Sequence, residues 1–217
     1  GATAQIADTI DDTTLTLDDV TVDEGAGTAT IDASVDNAVT ETDLVITLDN
    51  GATITILVGE STGTSTPFAV QGDDVYVDGE TITVAVSGTT GGNYENLVTT
   101  DTADVIIDDT TDDVTVNLST SDVTEDDASV TFTATLSHAS QGVTTIVTDL
   151  GNILIGDGQT TGTLVIATMD SDVYVDPDSL TATITSATGG GFENLVIGTA
   201  GATAQIADTI DDTTLTL

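Results

Sequence analysis

Apolar and polar residues alternate with a period of two along most of the chain. Residues 28–35 set Ala29, Ile31, Ala33 and Val35 on one face, and residues 129–136 repeat this with Val130, Phe132, Ala134 and Leu136. Residues 81–87 turn Ile82, Val84 and Val86 inward; residues 179–185 do the same with Leu180, Ala182 and Ile184. Threonine fills many of the outward positions. This is the signature of half-buried antiparallel strands. Turn chemistry separates the runs at Asp49-Asn50-Gly51, residues 59–63, residues 88–92 and Gly156-Asp157-Gly158. No stretch of useful length shows the 3.6-residue period of a helix. Seven or so short strands in about 100 residues predict an immunoglobulin-like sandwich with Greek-key wiring.

Two periods organise these strands. Residues 1–17 recur identically as residues 201–217, an offset of 200 (201 − 1). Inside it lies a weaker repeat. Asp73-Asp74-Val75-Tyr76-Val77-Asp78 is echoed by Asp170-Ser171-Asp172-Val173-Tyr174-Val175-Asp176, with Asp74 and Asp172 offset by 98 (172 − 74). Gly91-Gly92-Asn93-Tyr94-Glu95-Asn96-Leu97-Val98 returns as residues 189–196, and Ile-Asp-Asp-Thr-Thr occurs at residues 10–14, 107–111 and 210–214. The array unit is thus a pair of diverged modules of about 100 residues each. The predicted frame is 10–109 and 110–210. Residues 1–9 would then be the last strand of a preceding module and 211–217 the start of the next. Another frame would begin each module mid-repeat. The chain reads as an internal piece of something longer.

Charge changes the picture most. The chain has no Lys or Arg and 38 Asp plus Glu, a formal net charge of -38. With no internal cation, two carboxylates ~5 Å apart repel by roughly 3 kcal/mol at an effective dielectric of about 20. Clusters must therefore spread into water or be neutralised by metal. Nucleic acid and anionic membranes are excluded as partners, because both require a basic face. Mean hydropathy of +0.19 and 38% hydrophobic residues argue against the disorder that an acidic chain with few aromatics would suggest. There is no cysteine for a disulfide and no apolar run long enough to insert in a membrane.

The acidic clusters around each Val-Tyr-Val are the candidate chemistry. Grouped aspartates between strands suit Ca²⁺, a hard cation that takes six to eight oxygen ligands. Solvated turn aspartates are the plainer alternative, since Asp favours turns without metal. Asp108-Asp109 and Asp112-Asp113 flank Thr110-Thr111 at the module boundary. They form either a second Ca²⁺ locus or a self-repelling acidic hinge. Asp170-Ser171-Asp172 is not an EF-hand, because Tyr174 stands at the third ligand position, and glycine-rich nonapeptides are absent. Gly59-Glu60-Ser61-Thr62-Gly63 fits the nucleophile-elbow spelling, yet no helix pattern follows and the only histidine is His138. A hairpin turn explains it better, and an enzyme is not expected. One histidine and no cysteine leave zinc and copper without a ligand set. Glu95 and Glu193 are either further ligands or turn caps.

Val22-Asp23-Glu24-Gly25 followed by Asp73 to Glu80 resembles the Calx-β motif. With Asp-Val-Tyr-Val-Asp, Gly-Gly-x-(Tyr/Phe)-Glu-Asn-Leu-Val and Ile-Asp-Asp-Thr-Thr in both modules, the chain more closely resembles the extender repeats of giant RTX-type bacterial adhesins of biofilm formers. The resemblance implies tandem Ig-like extender domains binding several Ca²⁺ ions, within domains and at junctions, on the extracellular face of a bacterium. It implies Glu24, Asp73, Asp74 and Asp78 as ligands in the first module and Glu125, Asp170, Asp172 and Asp176 in the second. It also implies Asp108, Asp109, Asp211 and Asp212 at the exits, where Asp112 joins them as a junction acid. Pro177 stands where the first module has Gly79. Neighbouring repeats of the same chain are the expected partners, and a monomer the expected state. A module binding polysaccharide or ice through its threonine rows is the alternative.

Overall fold

The period-two pattern becomes alternating burial in two separate sandwiches. The structure, a computed structural model, describes residues 3–4, 7, 9–168, 174–175 and 178–216. It divides into one unit of Gly1–Asp73 and Asp78–Thr110, and another of Asp74–Val77 and Thr111–Leu217.

In the first unit a four-stranded sheet runs in the order Asn96–Val98, Asp12–Leu17, Asp32–Val35, Thr62–Thr64. A five-stranded sheet runs Val20–Asp23, Thr102–Asp108, Glu80–Thr90, Leu44–Leu48, Thr53–Ile56. Their inner faces meet in a core that includes Leu15, Ile31, Leu44, Ile46, Ile54, Ile56 and Ile107. The second unit repeats the plan. Thr161–Ala167, Ser129–Leu136, Asp113–Ser119 and Asn194–Ile197 face Val123–Thr124, Gly201–Ala207, Asp178–Gly189, Thr144–Thr148 and Asn152–Ile155. Its core is centred on Phe132, which is fully buried. Each buried Leu, Ile, Val or Phe contributes about 1.5–3 kcal/mol, so aliphatic burial holds both units without disulfides.

Most pairings are antiparallel, as the alternation predicts. Parallel pairs also occur: residues 12–14 run beside 96–98, and 20–23 beside 105–108. The second unit matches this at 113–116 with 194–197 and at 123–124 with 206–207. The opening segment of each unit crosses from one sheet to the other: its first strand lies inside the four-stranded sheet and its second forms an edge of the five-stranded one. Such pairing joins residues more than 80 positions apart and leaves no local signal.

Two expectations are refined. Residues 28–35 bury the predicted face, yet the strand is broken at Thr30–Ile31. Thr28–Ala29 pairs with Phe68–Ala69, while Asp32–Val35 pairs with Asp12–Leu17 and Thr62–Thr64. Of residues 59–63, Gly59 belongs to the turn and Gly63 lies in a strand. A Cβ on Gly63 would come 2.7 Å from the Thr55 carbonyl oxygen, and one on its counterpart Gly162 2.4 Å from that of Leu154. Close packing, not turning, requires those glycines. No helix follows Ser61; the turn carries the chain from Thr53–Ile56 in the five-stranded sheet to Thr62–Thr64 in the four-stranded one, so it is a connection between sheets and not the hairpin that the sequence suggested. Among the described residues the helical content is a single 3-10 turn, Glu24–Ala26.

Candidate metal centre

That 3-10 turn builds the site of the first unit. Strand Val20–Asp23 ends at Asp23, and the chain curls through Glu24–Ala26 to Gly27, a left-handed residue (φ 68) whose N–H closes onto the Glu24 carbonyl. The curl directs the Glu24 side chain inward, leaving it 1% exposed. Thr102–Asp108 runs parallel to this strand with Asp108 opposite Asp23. The next two residues, Asp109 and Thr110, therefore arrive beside Glu24.

Glu24 Oε1 accepts the Thr110 N–H at 3.0 Å and lies 3.3 Å from the Thr110 hydroxyl. That hydroxyl also contacts Asp73 Oδ1. It owns one proton, so it can serve only one of the two carboxylates at a time. Glu24 Oε2 is buried and has no hydrogen-bond partner among the described residues. A Glu24 oxygen and an Asp109 oxygen lie within 4.8 Å of each other. Asp109 Oδ1 in turn accepts the Asp78 N–H at 3.3 Å. Gly79 keeps the approach open: a Cβ there would sit 3.0 Å from Asp109 Oδ1. Glu24, Asp73, Asp78 and Asp109 are thus brought to one end of the first unit. Asp108 closes its strand on the exposed side.

The electrostatics of this end are unbalanced. Removing a carboxylate oxygen from water without a donor costs on the order of several kcal/mol. A second carboxylate within 4.8 Å adds roughly 3 kcal/mol of repulsion at moderate dielectric. Nothing in a chain without Lys or Arg can offset this. An all-oxygen donor set with one orphaned buried oxygen fits a hard divalent cation. Ca²⁺, when bound, would supply positive charge to Glu24 and Asp109. Asp73 is linked to Glu24 through the Thr110 hydroxyl, whereas the Asp78 carboxylate accepts from Gln71 Nε2 and meets Asp109 only through its backbone N–H.

The second unit repeats the anchor. Glu125, 5% exposed, accepts the Thr209 N–H at 2.6 Å and its hydroxyl at 2.8 Å through Oε1. Thr209 stands where the first unit has Thr110, so Asp208 is the counterpart of Asp109. Asp211 and Asp212 lie further on, beyond strand Gly201–Ala207, and are exposed. Asp170, Asp172 and Asp176 lie outside the described residues. Asp74 groups with the second unit, where its Oδ1 accepts the Tyr76 N–H at 2.7 Å in an Asx-type turn.

Glu95 and Glu193 each anchor the opening strand through one carboxylate oxygen. Glu95 Oε2 accepts the Asp11 N–H at 2.7 Å, and Glu193 Oε2 accepts the Asp112 N–H at 2.6 Å. Beside them Asn96 donates to Asp12 and Asn194 to Asp113, each at 2.7 Å. The Glu-Asn pair of the repeated motif thus pins the first strand at its start. This places Asp112 in a strand anchor. Thr110 and Thr209 are the site residues that sequence reading missed. Threonine is too common here to stand out, and only the repeated long-range Glu–Thr pairing singles them out.

Asp127 offers a pH test near Glu125. The Thr124 N–H and hydroxyl both donate to its carboxylate and hold its pKa below the ordinary aspartate value. A folded pKa below the unfolded one stabilises the fold above the unfolded value, and this is lost as pH falls through the folded value. Asp127→Asn should therefore flatten the acid limb of the stability–pH curve of the second unit. Chemical denaturation between neutral and strongly acidic pH measures it; curves of equal slope would refute the assignment.

Comparisons with known proteins follow the same two-part division. The LapA domain family model matches twice, over residues 11–110 and 112–209. No curated protein matches the chain. Among solved structures, calcium-binding domain CBD12 of CALX1.2 is 10% identical with a TM-score of 0.36, covering 89% of this chain and 99% of that one. CBD12 of CALX1.1 gives 10% and 0.36, covering 88% and 99%. A tetra-tandem repeat in the extending region of a large adhesion protein gives 22% and 0.37, covering 92% of this chain and 49% of that one.

Proposed function

Because the chain belongs to the LapA domain family, the repeat modules of large adhesion proteins, across both of its units, we propose that it is a Ca²⁺-dependent extender of a secreted bacterial adhesin. In this reading residues 10–109 and 110–210 are the modules, flanked by 1–9 of a preceding repeat and 211–217 of the next. The array stands on the outside of the cell and projects a distal adhesive region, as in biofilm formation. Its role is mechanical and not enzymatic.

The observation that carries the proposal is the buried Glu24 Oε2, which has no hydrogen-bond partner among the described residues, set beside Asp109 in a chain without Lys or Arg. Positive charge at that end would offset the repulsion and stiffen the loops that carry Asp73, Asp78 and Asp109. Extracellular Ca²⁺ modules bind at about 10⁻⁴–10⁻³ M. Such sites would stay empty in a low-calcium cytosol, leaving the chain loose for export, and fill outside.

Isothermal titration of Ca²⁺ into the EDTA-treated chain, with small-angle scattering at each end point, tests this. Saturable binding near those concentrations, accompanied by a longer and stiffer particle, is the expected result. Binding no stronger than Mg²⁺ or Na⁺, with unchanged scattering, would refute it and leave the acids as solvated turns.

A further inference from the structure

Within the second unit, Asp74–Val77 lies extended along residues 191–193. The Val77 N–H donates to the Gly191 carbonyl at 2.8 Å, and the Glu193 N–H donates to the Val75 carbonyl at 3.1 Å. Between these bonds Tyr76 stacks on Phe192, with ring centroids 5.6 Å apart and planes at 24°. The Tyr76 hydroxyl donates to the Ala139 carbonyl at 2.7 Å. The segment fills a socket made of one ring, a short backbone edge and one carbonyl.

Every part of that socket has a counterpart in the first unit. Tyr94 stands for Phe192 and Glu95 for Glu193. Asn93 stands for Gly191, both with positive φ (54 and 69). Ala38 stands for Ala139. There the ring borders an open depression of about 310 Å³ that Asn37, Ala38, Asn93 and Glu95 also line. Neither the Asn93 carbonyl nor the Glu95 N–H has a hydrogen-bond partner among the described residues.

We infer that this first-unit socket binds the Tyr174–Val175 segment of a second copy of this chain, supplied in an array by the preceding 200-residue repeat. Tyr174 repeats Tyr76 within the echoed Asp-Val-Tyr-Val-Asp motif, and it is 73% exposed beside Val175 at 88%. The chain has three tyrosines, and the third is Tyr94 itself, so the motif offers one matching insert for one open socket. Ring stacking and main-chain pairing are the attractions that two acidic surfaces retain. Insert and socket sit on different units, so the contact is head-to-tail and propagates along an array instead of closing a dimer. The inference rests on the tandem reading above and not on metal.

The test is a chain of residues 1–200 followed by residues 1–217, with Tyr174→Trp in one copy at a time; the natural sequence has no Trp. Acrylamide quenching should fall at least roughly threefold for the Trp of the first copy relative to that of the second, as burial of an aromatic insert requires. Tyr94→Ala in the second copy should abolish this protection, and Tyr94→Phe, which restores the chemistry of Phe192, should keep it. Equal quenching of both Trp positions, or protection that survives Tyr94→Ala, overturns the inference. The same chain is titrated with Ca²⁺: protection without a Ca²⁺ response would sink the metal reading alone.

Discussion

Millimolar Ca²⁺ is expected to raise the thermal midpoint of each unit by roughly 5–20 °C over its value in EDTA. The estimate follows from mass action. A site with a dissociation constant of about 10⁻⁴–10⁻³ M, at about 10 mM Ca²⁺, stabilises the bound fold by about 1.4–2.7 kcal/mol. In a domain of about 100 residues each kcal/mol moves the midpoint by about 4–8 °C. Glu24→Gln sharpens the test, because Glu24 is 1% exposed with one orphaned oxygen. In Ca²⁺ the variant should lose the shift in the first unit while the second keeps its own. In EDTA it should be no less stable than the parent, since an amide replaces an uncompensated buried charge. Calorimetric scans of both proteins in both conditions decide the matter. An undiminished first-unit shift in Glu24→Gln would remove Glu24 from the ligand set.

What could be read from the sequence divides along physical lines. The strand faces were legible because alternation is local: Val130, Phe132, Ala134 and Leu136 are all buried as the pattern requires. Glu24 was legible as an acidic residue ahead of a glycine, but its burial was not, since that depends on a 3-10 turn and on a parallel strand arriving more than 80 residues later. The roles of Glu95 and Asn96 stayed ambiguous for the same reason. Carboxylates that hold a metal and carboxylates that hold a backbone N–H have the same spelling. Motif matching also misled at Ile-Asp-Asp-Thr-Thr. The copy at residues 10–14 opens strand Asp12–Leu17, whereas the copy at 107–111 closes strand Thr102–Asp108. Two acidic pairs four residues apart made the wrong partner look right, and only the sheet register assigns Asp208 and Thr209 to the positions of Asp109 and Thr110.

The relative weight of core and metal sets the other large effect. Phe132→Ala is expected to cost about 3–5 kcal/mol, the range for truncating a fully buried Phe when its surroundings cannot collapse. Phe132 has no exposed surface and lies between both sheets of the second unit, packed within a core that is otherwise aliphatic apart from Phe192. Single domains are stable by about 5–15 kcal/mol, so this one change takes about a fifth of the total or more. The first unit has its own core, so the loss should be confined to the second unit's transition. Urea unfolding followed by amide hydrogen exchange resolves the two units residue by residue. Adding Ca²⁺ to the variant should recover about 1.4–2.7 kcal/mol at most by mass action, which leaves a deficit. Full recovery would mean that the ion, and not the apolar core, specifies the fold. Partial recovery would mean that burial of aliphatic side chains folds each unit and the acidic ends only tune how firmly it holds.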